Sequence, residues 1–187
     1  MTGIREHLKA LMTLGQGAIQ GMKDPSGTED PIQLVEAWHT TAEECGMFMA
    51  NAMTLATATS DGAPSARMVL LKGIDDRGFR FFTNYESRKA DELEANPRAA
   101  LILHWAVIER QIRIEGRVER LTKLESYEYF SSRPRGSRIG AWASKQSRPL
   151  ESREAFEAEV ARYEEEFAGE DVPLPPHWGG YRVIPTR

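Results

Sequence analysis

The sequence is poor in the residues that most often announce chemistry. It has one cysteine, Cys45, which excludes an intramolecular disulfide and fits a reducing compartment. Its four histidines, His7, His39, His104 and His177, stand apart and lack metal-ligand spacing with Cys, Asp or Glu. There is no Gly-x-Ser-x-Gly elbow, no P-loop and no Gly-x-Gly-x-x-Gly, so hydrolase, nucleotidase and dinucleotide-binding readings lack their signatures. A reaction on a small molecule would then borrow its reactivity from a cofactor.

Long apolar runs are missing too, and none approaches a membrane span. Ile4, Leu8, Leu11 and Leu14 have helical spacing, but Glu6 and Lys9 interrupt any signal-peptide core. The expectation is a soluble cytoplasmic protein with no membrane partner. The net charge of −4 leaves no general nucleic-acid footprint, so clustered basic residues are local features. Apolar residues at 41% and charged residues at 28% are ordinary for a globular chain, and 187 residues suffice for one domain with a substantial core.

Residues 1–30 read as a flexible arm, rich in Gly, Asp, Ser and Thr towards its end. Residues 31–187 read as the folded domain. Asp30-Pro31 opens a helix with an apolar stripe of Leu34, Val35, Trp38 and Ala42, ending near Gly46. Strand signals follow over Thr54–Ser60, Ser65–Ile74 and Phe79–Asn84, separated by turns at Asp61-Gly62 and Asp75–Gly78. Ser87–Ala95 is helical. Ala99–Val107 is apolar on both alternating faces, as in a strand buried on both sides in a barrel that also packs against a partner. Arg110–Leu121 alternates, with Ile112, Ile114 and Val118 on one face and Gln111, Arg113, Glu115, Arg117 and Glu119 on the other. Helices over Thr122–Ser131 and Ser152–Phe167 precede a last short strand at Trp178-Gly179-Gly180-Tyr181. Five or six antiparallel strands with interspersed helices predict a mainly β, α+β domain built as a small barrel.

Two basic clusters carry the chemistry. Arg133, Arg135 and Lys145 lie among Gly136, Ser137, Gly140, Ser144, Gln146 and Ser147, a loop-like stretch suited to gripping phosphate. Its alternative is a solvated basic loop. Trp142 within it reads as packing. The other cluster sets Arg67 and Lys72 around Met68, Val69, Leu70 and Leu71, followed by Phe82, Thr83, Arg88 and Lys89. An odd separation points Arg67 and Lys72 to opposite faces of a regular strand. They then serve different phosphates, are realigned by a bulge, or reach solvent from strand ends. Arg88 and Lys89 open a helix, where the dipole disfavours cations unless an anion shares the place. Gln111 either bonds a ring heterocycle or faces solvent.

In collinear order over roughly residues 50 to 183, these segments resemble the pyridoxine/pyridoxamine 5′-phosphate oxidase family. The matching text is Arg67–Lys72, Phe82-Thr83-Asn84, Ser87-Arg88-Lys89, Glu109-Arg110-Gln111, Tyr129-Phe130 with Ser132-Arg133-Pro134-Arg135, Ser137 with Ile139-Gly140-Ala141-Trp142, Ser144–Ser147, Pro173-Leu174-Pro175 and Trp178-Gly179-Gly180. The resemblance implies an FMN-binding split β-barrel and a homodimer with cofactor sites at the subunit interface. It assigns Arg67, Met68, Val69, Leu70, Leu71, Lys72, Phe82, Thr83, Arg88, Lys89, Gln111, Gln146 and Ser147 to FMN. Lys72, Tyr129, Arg133 and Ser137 fall to the substrate, chiefly its 5′-phosphate. The implied reaction is hydride transfer from pyridoxamine or pyridoxine 5′-phosphate to flavin N5, with reoxidation by O2 giving H2O2 and pyridoxal 5′-phosphate. The family continues past the Trp-Gly-Gly strand with a segment resembling Trp-x-Gly-x-x-x-Arg-Leu-His-Asp-Arg, which supplies further flavin contacts and an Arg/His pair over the substrate. Nothing here matches that segment, so no catalytic residue is assigned. Two expectations follow: an active oxidase, or an FMN- or pyridoxal-phosphate-binding protein with little or no turnover.

Overall fold

The computed structural model describes residues 30–187; the expected arm, with His7, lies outside the described residues. Helix α1 (Pro31–Glu44) starts where expected, with Asp30 accepting from the Ile32 amide at 2.9 Å. Next come β1 (Ala52–Ala58), β2 (Pro64–Leu70), β3 (Gly73–Asp75), β4 (Gly78–Asn84), α2 (Arg88–Ala95) and β5 (Arg98–Trp105). The chain finishes with β6 (Arg110–Arg120), α3 (Lys123–Ser132), α4 (Arg135–Ala143), α5 (Arg153–Glu166) and β7 (Trp178–Pro185).

All seven strands form one antiparallel sheet in the order β2-β1-β5-β6-β7-β4-β3. The two edge strands, β2 and β3, are consecutive in sequence and joined only by Leu71 and Lys72. So short a link brings the edges together, and the sheet curls into a split barrel as expected. The Leu71 amide continues the β1 ladder by donating to Asn51 at 2.8 Å, and the Lys72 amide continues the β4 ladder by donating to Arg80 at 2.8 Å. The expected strand Ser65–Ile74 is therefore two strands belonging to opposite edges.

Period-two alternation sends Met53 and Leu55 of β1, Leu101, Leu103 and Trp105 of β5, Phe81 of β4 and Val183 of β7 into the barrel. Each buried side chain of this size stabilises the fold by roughly 1.5–3 kcal/mol. Trp105 also donates from Nε1 to the Ala50 carbonyl at 2.7 Å, so its polar edge is satisfied. Helix α1 lays Val35, Trp38 and Ala42 on this core, and Cys45 packs beside them. Gly78, at φ 134°, sits where a Cβ would strike the Val183 carbonyl, so the β3–β4 turn requires glycine.

Within the protomer strand β5 is covered on one face only. Ala100 and Ile102 are only half-buried and His104 is exposed, because nothing in the protomer covers that face. Strand β7 is more than a short terminal strand. Its eight residues pair with both β4 and β6 in the middle of the sheet.

The stretch expected as a basic loop contains helix α4, with Pro134 in the N-cap position. Gly136 and Gly140 each cost a helix about 1 kcal/mol. Burial of Ile139, Ala141 and Ala143 against Phe130, Phe167, Val172 and Trp178 offsets that cost. Trp142 packs on Tyr163 and Phe167 and donates from Nε1 to the Pro173 carbonyl at 2.8 Å, confirming its packing role.

Candidate active site

A cavity of about 1020 Å³ opens between β2, β4, the start of α2, and the α3–α4 pair. Five cationic side chains line it: Arg67, Lys72, Arg88, Lys89 and Arg133. Among the described residues no carboxylate does, although the chain as a whole is acidic. The positive charge is therefore concentrated where a ligand would sit.

Arg67 and Lys72 reach the same cavity, contrary to the opposite-face expectation. Strand β2 ends at Leu70, Leu71 turns into the core, and the crossing to β3 returns Lys72 to the cavity side. Met68, Val69 and Leu70 line the wall; Leu71 is buried away from it. Five of the six residues expected from this segment thus line the cavity.

Below β2 the floor is a polar network. Arg67 donates to the Thr57 and Ser65 hydroxyls and to Glu92 at 3.0 Å. Arg88 donates to Glu92 at 2.8 Å. Burial alone would push the Glu92 carboxyl up, but hydrogen bonds from Ser65, Thr57, Arg88 and Arg67 outweigh it and hold it at about 2. The anion expected beside Arg88 at the opening of α2 is thus partly supplied by the chain itself. Glu92 escaped the sequence reading, although its position four residues after Arg88 on a helix was a usable sign.

Lys89 is buried and donates to Thr83 at 3.1 Å, Ser87 at 3.0 Å and Gln146 at 2.6 Å. Burial, then the nearby Arg67 charge, lowers its ammonium to about 8. Thr83 in turn donates to Gln146 at 3.0 Å, and Asn84 ties the loop down by donating to the Ser144 carbonyl at 3.2 Å. Ser147 lines the mouth with φ 66°, a left-handed conformation that L-residues adopt rarely and that gathers at ligand sites.

The opposite wall is aromatic. Phe82 stacks on Tyr129 at 4.0 Å between centroids and on Trp178 at 5.4 Å. Lys72 stands 5.9 Å from the Tyr129 ring. Gly180 permits this stack, because a Cβ there would collide with Phe82 and Leu121. Arg133 lies 4.8 Å over the Trp178 ring, and Nη1 is buried without a hydrogen-bond partner. Burial lowers its guanidinium below the ordinary arginine value. Ser137, exposed on the first turn of α4, completes this side.

Three expected residues lie elsewhere. Gln111 is exposed on β6 opposite His104 and does not reach the cavity of its own chain. Arg135 donates to the Phe167 and Glu170 carbonyls at 2.7 and 2.8 Å, bracing the loop after α5. Lys145 is exposed and outside the lining. The helical turn of α4 separates Arg135 from Ser137, which a loop reading could not show. Among the described residues no His, Cys, Asp and Glu group is arranged to hold a metal, and no helix is long and apolar enough to cross a membrane.

The cavity therefore has two cationic ends joined by an aromatic wall, which suits a flat ring carrying a phosphate, or two such molecules. The pyridoxamine 5′-phosphate oxidase family model matches residues 42–166. A pyridoxine/pyridoxamine 5′-phosphate oxidase of Psychromonas ingrahamii is 52% identical over 95% of this chain and 82% of its own length. One of Cupriavidus necator is 57% identical over 84% of this chain and 74% of its own. Among solved structures, PhzG from Burkholderia lata in complex with tetrahydrophenazine-1-carboxylic acid superposes with TM-score 0.82 at 35% identity, covering 88% of this chain and 82% of that one. A pyridoxamine 5′-phosphate oxidase-related, FMN-binding protein of Nostoc punctiforme shares the fold with TM-score 0.68 at 17% identity. On its sequence and on the curled sheet that builds its cavity, the chain belongs to the pyridoxamine 5′-phosphate oxidase family.

Proposed function

We propose that the protein is an FMN-dependent oxidase that converts pyridoxamine and pyridoxine 5′-phosphate to pyridoxal 5′-phosphate at the expense of O2. The observation that carries this reading is the division of one acid-free cavity into two cationic ends, with Arg133 half-buried and its Nη1 buried without a hydrogen-bond partner. Burying such a guanidinium is costly unless an anion completes it.

The residues present fit FMN. Arg67, Arg88 and Lys89, with the Thr83, Gln146 and Ser147 polar groups, would hold its phosphate. Met68, Val69 and Leu70 would flank the ring, and Phe82 closes that wall. Bound flavin supplies a hydride acceptor and a centre that O2 reoxidises, giving H2O2. The chain's own contribution is placement. Lys72, Arg133 and Ser137 would neutralise and orient the vitamer phosphate, and Tyr129, braced by Phe82, would bound its ring. The aromatic wall excludes water from that contact.

A homodimer and a cytoplasmic location belong to the same proposal. Met68 is exposed on edge strand β2, and the outer face of β5 is only half-covered. Gln111, turned away from its own cavity, would serve the site of the partner across a two-fold interface.

The test is to purify the protein and record the visible flavin spectrum at saturating FMN. Peroxide and pyridoxal 5′-phosphate are then followed from pyridoxamine 5′-phosphate. Turnover supports the oxidase reading. No flavin bound would sink it, and bound flavin without turnover would make this a binding protein. Because the PhzG structure holds a carboxylic acid, unphosphorylated carboxylate substrates serve as the control, and Lys72, Arg133 and Ser137 favour the phosphate ester.

A further inference from the structure

We propose that Glu92 is a positioning residue that aims Arg67 and Arg88 at the phosphate of the ligand and sets the charge of that end of the cavity. The inference rests on the reading of this end as a phosphate site. Glu92 lies on the inner side of α2, and its side chain is 4% exposed. It does not line the cavity, yet it touches three residues that do, Ser65, Arg67 and Arg88.

The geometry is a closed ring of donors. Thr57 and Ser65 are cross-strand partners on β1 and β2. Both hydroxyls donate to Glu92, Ser65 at 2.6 Å, and both accept from Arg67. The Arg67 side chain therefore folds back along β2 onto a track that ends at the carboxylate, which it meets at 3.0 Å. From the other side Arg88, on the first turn of α2, meets the same carboxylate through Nε at 2.8 Å. Glu92 thus joins cations from two separate elements, and with Nε engaged the outer edge of Arg88 turns to the cavity. A planar guanidinium held in this way loses less freedom when it binds phosphate.

Charge follows from the same contacts. Arg67, Arg88 and Lys89 bring three positive charges, and Glu92 removes one. The remainder matches a phosphate monoester dianion. With an uncharged residue at 92 the excess would be larger, but the two guanidinium groups would have no common anchor.

The experiment measures flavin binding by the full chain, with FMN and with riboflavin, which lacks the phosphate. Wild type, Glu92→Gln and Ser65→Ala are compared. Glu92→Gln is expected to weaken FMN about tenfold, the scale of one charged hydrogen-bonding arrangement, and to leave riboflavin within about twofold. Ser65→Ala keeps the charge and removes one strut, so a smaller loss of about threefold, again for FMN alone, is expected.

Unchanged or tighter FMN binding by Glu92→Gln overturns the proposal, since the carboxylate would then compete with the ligand for the arginines. Equal losses for FMN and riboflavin also overturn it, because that is the mark of a merely structural residue. Should Glu92→Gln fail to fold, Ser65→Ala and Thr57→Val carry the same comparison. A wild type that binds neither flavin sinks the cofactor reading separately. Titration with inorganic phosphate then decides on Glu92, and binding equal in wild type and Ser65→Ala overturns it.

Discussion

Arg182 of β7 and Glu125 of the first turn of α3 meet at 3.0 Å across 57 positions of sequence. Glu125 is also the reciprocal partner of Thr122 in the capping box that starts α3. The same guanidinium reaches Asp75 at 2.9 Å and Glu119 at 3.2 Å, and it is 1% exposed. One buried cation therefore fixes β3, β6 and β7 to the helix that carries Tyr129 and Arg133.

Arg182→Leu should destabilise the protein by about 3 kcal/mol, because carboxylates that share one buried partner lose it together. Chemical denaturation reads the change as a lower midpoint with an unaltered slope. A shift under about 0.5 kcal/mol would show that Arg77 and Arg80 compensate.

Acid should unfold the protein in a defined window. Glu92 and Glu125 are both held at about 2 in the fold, against an ordinary 4.5. The unfolded chain thus takes up protons first as pH falls. The stability these groups contribute is present above 4.5 and is lost as pH drops towards 2. Linkage makes this on the order of 3 kcal/mol for each group. Unfolding free energies measured between pH 6 and pH 3 should fall less steeply in Glu125→Gln.

Lys89 gives the opposite limb. Its ammonium is lowered from 10.5 to about 8, so the charged form is penalised in the fold at neutral pH. Between about 8 and 10.5 the unfolded chain holds more protons, and this group makes the ligand-free protein more stable as pH rises. FMN affinity should move the other way and decline as Lys89 loses its proton. Lys89→Met should flatten both trends in paired denaturation and flavin titrations.

Arg133→Ala should weaken the phosphorylated vitamer by about a hundredfold and FMN by less than about threefold, since its guanidinium, with Nη1 lacking a hydrogen-bond partner, would serve only the second end of the cavity. Steady-state KM for pyridoxamine 5′-phosphate and flavin titration separate the two. Equal losses would contradict the division of sites.

Much of the sheet was legible because period-two alternation is a local property. Ile112, Ile114 and Val118 face inwards as read, and Asp30-Pro31 opens α1 where its cap chemistry requires. The helix α4 was not legible, because Gly136, Gly140 and three nearby cations resemble a loop until Phe130, Phe167 and Trp178 are brought against Ile139. Leu124 and Tyr127 show the converse. They have helical spacing but stay exposed, while Phe130 alone of the three is buried.

The sequence by itself determined the basic residues, their order along the chain and the family they mark, since these depend on residue identity alone. Only the tertiary structure decided which cations share a cavity. The two-residue link between the edge strands returned Lys72 to the side of Arg67 and sent Leu71 to the core. The turn of α4 kept Arg133 and Ser137 at the cavity and took Arg135 away. The reason is geometric: a side chain's direction follows from the path of its backbone, and that path is fixed by pairings between residues distant in sequence.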